Sequence, residues 1–266
     1  MQIAFNQIAS SYDETFTNSE IGKRQRNIVW NYLERILPAD VQLDILELNC
    51  GTGEDALFLA NKGYSVTATD VSEEMLDITN AKISKNGLEK NVGTKKINIE
   101  ELQETLFDRK FDVIFSNFGG MNCVEEEVLG KLSKELKLLL NSKGRIILVL
   151  MPKFCLWETV YFMSKLNLNE SLRRSKAGHT VAKVGEFEVK TYYHSPSILE
   201  KKFANNFVVR KIIPIGFFIP PSYLNNYFAE KKKTLNFLAS LETKSSNLSL
   251  LSNAADHFLI DMELKE

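Results

Sequence analysis

Apolar positions along this chain switch between two periods. Ile28, Val29, Tyr32, Leu33, Ile36 and Leu37 recur at helical spacing, so the first forty residues are predicted to be helical up to Pro38. Leu43–Leu48 is then a short apolar run, predicted as a strand. Glu54–Lys62 returns to helical spacing and Gly63 follows its end. Tyr64–Thr69 is a second strand. Ser72 with Glu73 and Glu74 opens a helix that Asn86-Gly87 breaks. Strands are predicted over Thr94–Ile99, Phe111–Ser116 and Arg145–Met151, with an amphipathic helix over Val124–Leu140 and a turn at Ser142-Lys143-Gly144. Alternation of this kind predicts an α/β fold, a doubly wound and mostly parallel sheet.

After Met151 the alternation stops. Phe154–Arg174 has helical content, and VAKVGEFEVKTYYHS (181–195) has the form of a hairpin turning at Gly185. Ser195-Pro196 starts a helix to about Ala204. Strands over Phe207–Ile213 and His257–Glu263 bring the predicted sheet to seven. The expected division is a core with N-terminal helices over 1–151, a cap insertion over 152–194, a core helix and strand over 195–215, a second cap segment over 216–252 and a final core strand over 253–266. Decorations on α/β proteins commonly serve the site, so both inserted segments are expected to cover the strand ends.

Composition narrows the class. A net charge of -1 across 266 residues argues against a general nucleic-acid or membrane-surface binder. The run Glu230-Lys231-Lys232-Lys233 is expected to be a solvated helix face. Cys50, Cys123 and Cys155 lie far apart with no zinc spacing, which fits a reducing compartment and no metal. The leading MQIAFNQIASSYDE lacks the features of a signal peptide, and the expected location is the cytoplasm.

The chemistry concentrates in ILELNCGTGEDA (45–56). A strand running into Gly51-x-Gly53 and then a helix brings backbone N–H groups and a helix start close to a ligand. Asp70, seventeen residues after Gly53, ends the next strand, where an acid can accept from both ribose hydroxyls of a nucleoside. The spacing Gly51, Gly53, Ala56 also fits a dinucleotide loop. Glu47 argues the other way: a carboxylate before the loop repels a pyrophosphate and suits a positively charged amino-acid end. Asn49 stands where such loops often carry glycine, and asparagine tolerates left-handed backbone best among the other residues. FSNFGGMNCVEE (115–126) adds Asn117, Phe118 and Asn122 beside the same strand ends.

These motifs together resemble the class I S-adenosylmethionine-dependent methyltransferases of the small-molecule type. FNQIASSYDETF is similar to that group's leading segment, whose tyrosine closes over the cofactor, here Tyr12. ILELNCGTG is similar to its first motif and ATDVSEEML to its second. The resemblance implies S-adenosyl-L-methionine held by Tyr12, Glu47, Asn49, Gly51, Gly53, Asp70, Val71, Met75, Asn98, Ile99, Asn117 and Phe118, with Asp70 on the ribose. Val71 and Met75 would lie near the adenine, and Asn98, with Ile99 after it, would stand where the group often has an acid on the adenine amine. Asn49 and Asn98 depart from the usual glycine and acid.

The resemblance implies a methyl acceptor but does not name it. The aromatic cap, with GFFIPPSY (216–223), suggests a small apolar or aromatic one, and the lack of a basic groove argues against RNA or DNA. His194 is the expected general base if one is used, and Tyr193 an orienting group; both are chosen by their place at the hairpin's end. The chain is expected to be a monomer or homodimer. Two alternatives stand beside this reading: an NAD(P)-dependent oxidoreductase, and a non-catalytic cofactor-binding scaffold.

Overall fold

The computed structural model describes residues 2–104, 107–176, 178–184 and 186–266. Its strands are β1 (Asp44–Leu48), β2 (Ser65–Asp70), β3 (Val92–Lys96), β4 (Phe111–Ser116), β5 (Leu140–Leu150), β6 (Thr180–Val184), β7 (Phe187–Thr191), β8 (Phe207–Ile215) and β9 (His257–Leu264). Its helices are α1 (Gln2–Tyr12), α2 (Glu20–Ile36), α3 (Glu54–Asn61), α4 (Glu73–Asn86), α5 (Leu129–Leu139), α6 (Leu156–Ser164), α7 (Leu168–Ser171), α8 (Pro196–Phe203), α9 (Asn225–Phe228) and α10 (Lys232–Ser245). A short π-helical turn, Asp13–Thr17, joins α1 to α2.

Seven strands form one sheet in the order β3-β2-β1-β4-β5-β9-β8, and β6 and β7 form a separate hairpin. The five strands from β3 to β5 are parallel, while β9 runs antiparallel to both β5 and β8. The sheet is therefore mixed at one edge. The strand order reverses between β1 and β4, and ligands of such sheets bind outside the carboxyl ends at that point.

Period-two alternation sorts the core into two layers. Ile45, Val113 and Ile147 face α2 and α3, where Val29, Leu33, Ala56 and Leu59 are buried. Leu46, Ile114 and Ile146 face α5 and α8, against Leu132, Leu136, Leu199 and Phe203. Glu47 shares the face of Ile45, so its carboxylate is turned into the layer that holds α2.

The N-cap signals hold. Ser72 accepts from the Met75 N–H, Ser195 from the Ile198 N–H, and Gly87 ends α4 in left-handed backbone. Several boundaries differ from the sequence reading. β3, predicted over Thr94–Ile99, spans Val92–Lys96, and the leading helix is interrupted at Asp13–Thr17. The helix predicted over 154–174 is broken into α6, α7 and a 3-10 turn at Arg173–Ser175, because Leu166 takes φ +57° and the Asn167 side chain caps a new start. The turn predicted at Ser142-Lys143-Gly144 lies inside β5 as an irregularity in its pairing with β4. The helix predicted from Val124 begins at Leu129. The hairpin spans β6 and β7, while its predicted turn residue Gly185 lies outside the described residues. No described helix is long and apolar enough to cross a bilayer.

Candidate cofactor cleft

β1 ends in a loop of alternating left-handed residues: Asn49 at φ +56°, Gly51 at +54° and Gly53 at +80°. Asparagine adopts this conformation at modest cost, which is how the loop dispenses with a first glycine. Gly53 is needed for space as well: a Cβ there would lie 2.8 Å from Thr79 Oγ1 on α4. Asn49 interlocks with the loop after β4, since a Cβ on Gly120 would meet Asn49 Nδ2 at 2.6 Å.

The loop borders a cleft of about 230 Å³ at the strand ends. Tyr12, Asn49, Asp70, Val71, Met75, Asn117 and Phe118 all line it. Asp70 is placed by two backbone donors, the Gly51 N–H on Oδ2 and the Ser72 N–H on Oδ1, each at 2.9 Å. Burial raises its pKa although these bonds oppose the shift. Tyr12 is brought over the loop by Asp13, which accepts from Thr52 Oγ1 at 2.7 Å and pairs with Lys82 at 2.7 Å.

Glu47 does not line the cleft; it is buried, with Oε2 lacking any partner. Burial, and then the neighbouring Asp55 carboxylate, push its pKa well above the usual carboxylate range, against the pull of Arg26. Arg26, from α2, is buried between the Phe16 and Phe118 rings at 5.7 and 5.4 Å. Its Nε and Nη1 have no hydrogen-bond partner, and its ion-pair contact with Asp55 is long at 3.9 Å. Asn49 Nδ2 is likewise buried and unpartnered. Asp55 is engaged elsewhere, accepting from Trp30 Nε1 at 2.6 Å and Asn117 Nδ2 at 3.0 Å. Phe118 holds φ +45°, wedged against Phe16, Arg26 and His257.

Several expected residues fall elsewhere. Asn98 is not on the cleft wall; its Oδ1 accepts the Glu100 N–H and its Nδ2 reaches Glu101, which starts a 3-10 turn. Ile99 is packed in the core beside α5. His194 is buried with Nε2 2.9 Å from the Val124 carbonyl, and burial lowers its pKa. Tyr193 is buried with the Arg174 guanidinium over its ring at 5.3 Å. Neither lines the cleft. The hairpin does, through Ala182, Val189 and Thr191, with Phe5, Cys123 and Met151 completing the wall. Asn122 ties the hairpin's end to the sheet: Oδ1 accepts the Met151 N–H, and Nδ2 donates to the Met151 and Tyr192 carbonyls. The second inserted segment packs against α2 and α6 instead, placing Ile219, Phe228 and Leu235 beside Ile21 and Trp157. No group of three or more metal-ligating side chains occurs among the described residues.

A family model described as a methyltransferase domain matches residues 45–144, which carry the loop, Asp70 and Asn117. The chain therefore contains a methyltransferase domain over residues 45–144, set in the fold of the class I S-adenosylmethionine-dependent methyltransferases. It is 30% identical over 148 residues to a demethylmenaquinone methyltransferase of Clavibacter sepedonicus, covering 54% of this chain and 55% of that one. It is 29% identical over 120 residues to a malonyl-[acyl-carrier protein] O-methyltransferase of Bacillus anthracis, covering 44% and 40%. The chain thus matches about half the length of these curated relatives. The CcbJ methyltransferase of Streptomyces caelestis has the same fold, at TM-score 0.63 and 15% identity over 99% of this chain and 98% of that one.

Arg26 is the buried, unpartnered group that sequence reasoning missed. It sits in an amphipathic helix among Lys23, Arg24 and Arg35, where one arginine looks like another. Its position one turn before Trp30 was the available signal, since Trp30 holds Asp55 and so fixes α2 over the loop.

Proposed function

We propose that this protein transfers the methyl group of S-adenosyl-L-methionine to a small apolar or aromatic acceptor. The observation that carries the reading is the set of buried, unpartnered polar atoms behind the loop: Glu47 Oε2, Arg26 Nε and Nη1, and Asn49 Nδ2. A buried polar group left unsatisfied costs about 1–3 kcal/mol, more when charged. An α-amino acid end brings the complementary set, an ammonium for Glu47 and a carboxylate for Arg26 and Asn49. A dinucleotide pyrophosphate offers nothing to Glu47, which counts against the oxidoreductase alternative.

Asp70 would accept from the ribose hydroxyls, Val71 and Met75 would flank the adenine, and Tyr12 would cover the bound molecule. The cofactor supplies a methyl group already activated on a sulfonium, so the chain's work is to position the acceptor in line and exclude water. Phe5, Met151, Ala182 and Val189 give that side of the cleft an apolar surface. No proton transfer is assigned to His194 or Tyr193, since each is turned to another partner within the fold.

Calorimetric titration tests the reading. S-adenosylmethionine and S-adenosylhomocysteine should both bind and NAD should not. Tight NAD binding with no response to either sulfur compound would overturn it. Transfer of labelled methyl to a panel of apolar acceptors then separates an enzyme from a scaffold.

A further inference from the structure

Away from the cofactor cleft, α6 turns apolar side chains to solvent. Leu156, Val160 and Met163 follow helical spacing and are all exposed, Val160 at 56%. The turn after α6 continues the stripe, with Leu166 at 91% and Leu168 at 67% exposure. Beside it, between α6 and α9, opens a second cleft of about 550 Å³ lined by Trp157, Tyr161, Tyr223, Tyr227 and Phe228. An apolar surface this continuous is uncommon unless something covers it.

The charges around it say what. Lys165 lies on the cleft wall, with Nζ 5.2 Å from the Tyr161 ring. Lys231 Nζ stands 3.2 Å over the Tyr227 ring, and Lys233 follows in the exposed run. Neither Lys165 nor Lys231 pairs with a carboxylate among the described residues. Glu158 on α6 is buried and already neutralised by Arg173 and Arg174. The patch thus combines protruding leucines, a belt of tyrosines and tryptophan, and ammonium groups that sit on tyrosine rings rather than on carboxylates. Side chains of this kind suit the boundary between acyl chains and anionic headgroups. A second copy fits less well, because a two-fold pairing would set these lysines against themselves.

We propose that the α6–α9 cleft and the Leu166–Leu168 turn dock this protein on an anionic lipid bilayer. The low net charge expected to exclude such binding is a sum over the whole chain; at the patch Lys165, Lys231 and Lys233 outnumber the exposed Glu230 beside them. The inference stands on this surface alone and is independent of the methyl-transfer reading.

Flotation of the full chain with vesicles tests it, using phosphatidylcholine alone and phosphatidylcholine mixed with phosphatidylglycerol. Binding should favour the mixed vesicles and weaken as salt is raised. Lys231→Glu should weaken it by at least about fivefold. Leu166→Asp combined with Leu168→Asp should weaken it by at least about tenfold. Both leucines are exposed, so the variant should keep the wild-type circular dichroism melt. Brominated lipids should quench Trp157 in a Trp30→Phe background, which mere adsorption at a distance would not do. Failure of the folded wild type to float with the mixed vesicles would overturn the proposal. So would a dimer, seen by light scattering, that the double leucine variant dissolves, since the patch would then belong to a second copy.

Discussion

Two buried arginines in this molecule are treated in opposite ways. Arg174 reaches Glu158 Oε2 at 3.0 Å, Asp256 Oδ1 at 2.8 Å and the Asp256 carbonyl at 2.8 Å. Burial alone would raise the Asp256 pKa, but His257 and Arg174 hold it well below the carboxylate range. Arg26 is buried as deeply and leaves Nε and Nη1 without a hydrogen bond. The glutamates divide the same way. Glu242 accepts the N–H groups of Phe217, Phe218 and Ile219, whereas Glu47 keeps an empty oxygen. Satisfied buried charge anchors a fold. Unsatisfied buried charge is kept for a partner that arrives later.

The largest effect should come from the anchored side. Arg174→Met takes the buried guanidinium from Asp256 and leaves Glu158 to Arg173 alone, and should cost about 3–5 kcal/mol in denaturant unfolding. Arg26→Met removes a group with little to lose and should change stability by no more than about 1 kcal/mol. The ranking reverses for ligand: Arg26→Met should weaken S-adenosylhomocysteine by about tenfold to a hundredfold in calorimetry, while a folded protein altered near Arg174 keeps its affinity. Equal unfolding costs for the two arginines would break the comparison.

Asp70→Asn should weaken the same ligand by about tenfold, since a charge-assisted bond becomes a neutral one. The substituted amide can still accept one of the two backbone N–H groups, so the loss of stability should be the smaller effect. Unchanged affinity in the folded variant would place the ribose elsewhere.

Glu47 sharpens the comparison through pH. Its pKa in the fold lies above that of the unfolded chain, so between the two values the native state holds the extra proton. Stability of the free protein should therefore fall as pH rises from about 4.3 through the raised value. Glu47→Gln should remove that fall. An incoming ammonium favours the ionised carboxylate, so binding should release a proton, visible as a dependence of the calorimetric heat on buffer ionisation enthalpy. Glu47→Gln should abolish the release.

The smallest effect should be that of Asn49→Gly. The left-handed backbone remains available and only Nδ2 is lost, so affinity should drop less than about fivefold.

The sheet was legible because each strand but one is an apolar run closed by a turn signal. The exception is β3, an edge strand carrying Lys95 and Lys96, whose limits shifted toward its N-terminal side. The loop and its Asp70 were legible because close backbone approach demands glycine, and glycine shows in a sequence. Arg26 was not legible, because its burial depends on Phe16 and Phe118 folding over it from distant segments. The break within 154–174 was hidden by apolar content that continues across Leu166, and only Asn167 marked it. His194 looked well placed by chain position, yet the Val124 carbonyl takes its ring nitrogen.

The contact between Asn49 and Gly120 constrains how this cleft can be rebuilt. Alanine at 120 is blocked while asparagine stands at 49, and is freed of that clash once 49 is glycine. The two positions therefore form a one-way path for substitution. Variant libraries that sample them singly will score Gly120 as intolerant, whereas libraries that exchange 49 first gain a second adjustable wall beside the cleft.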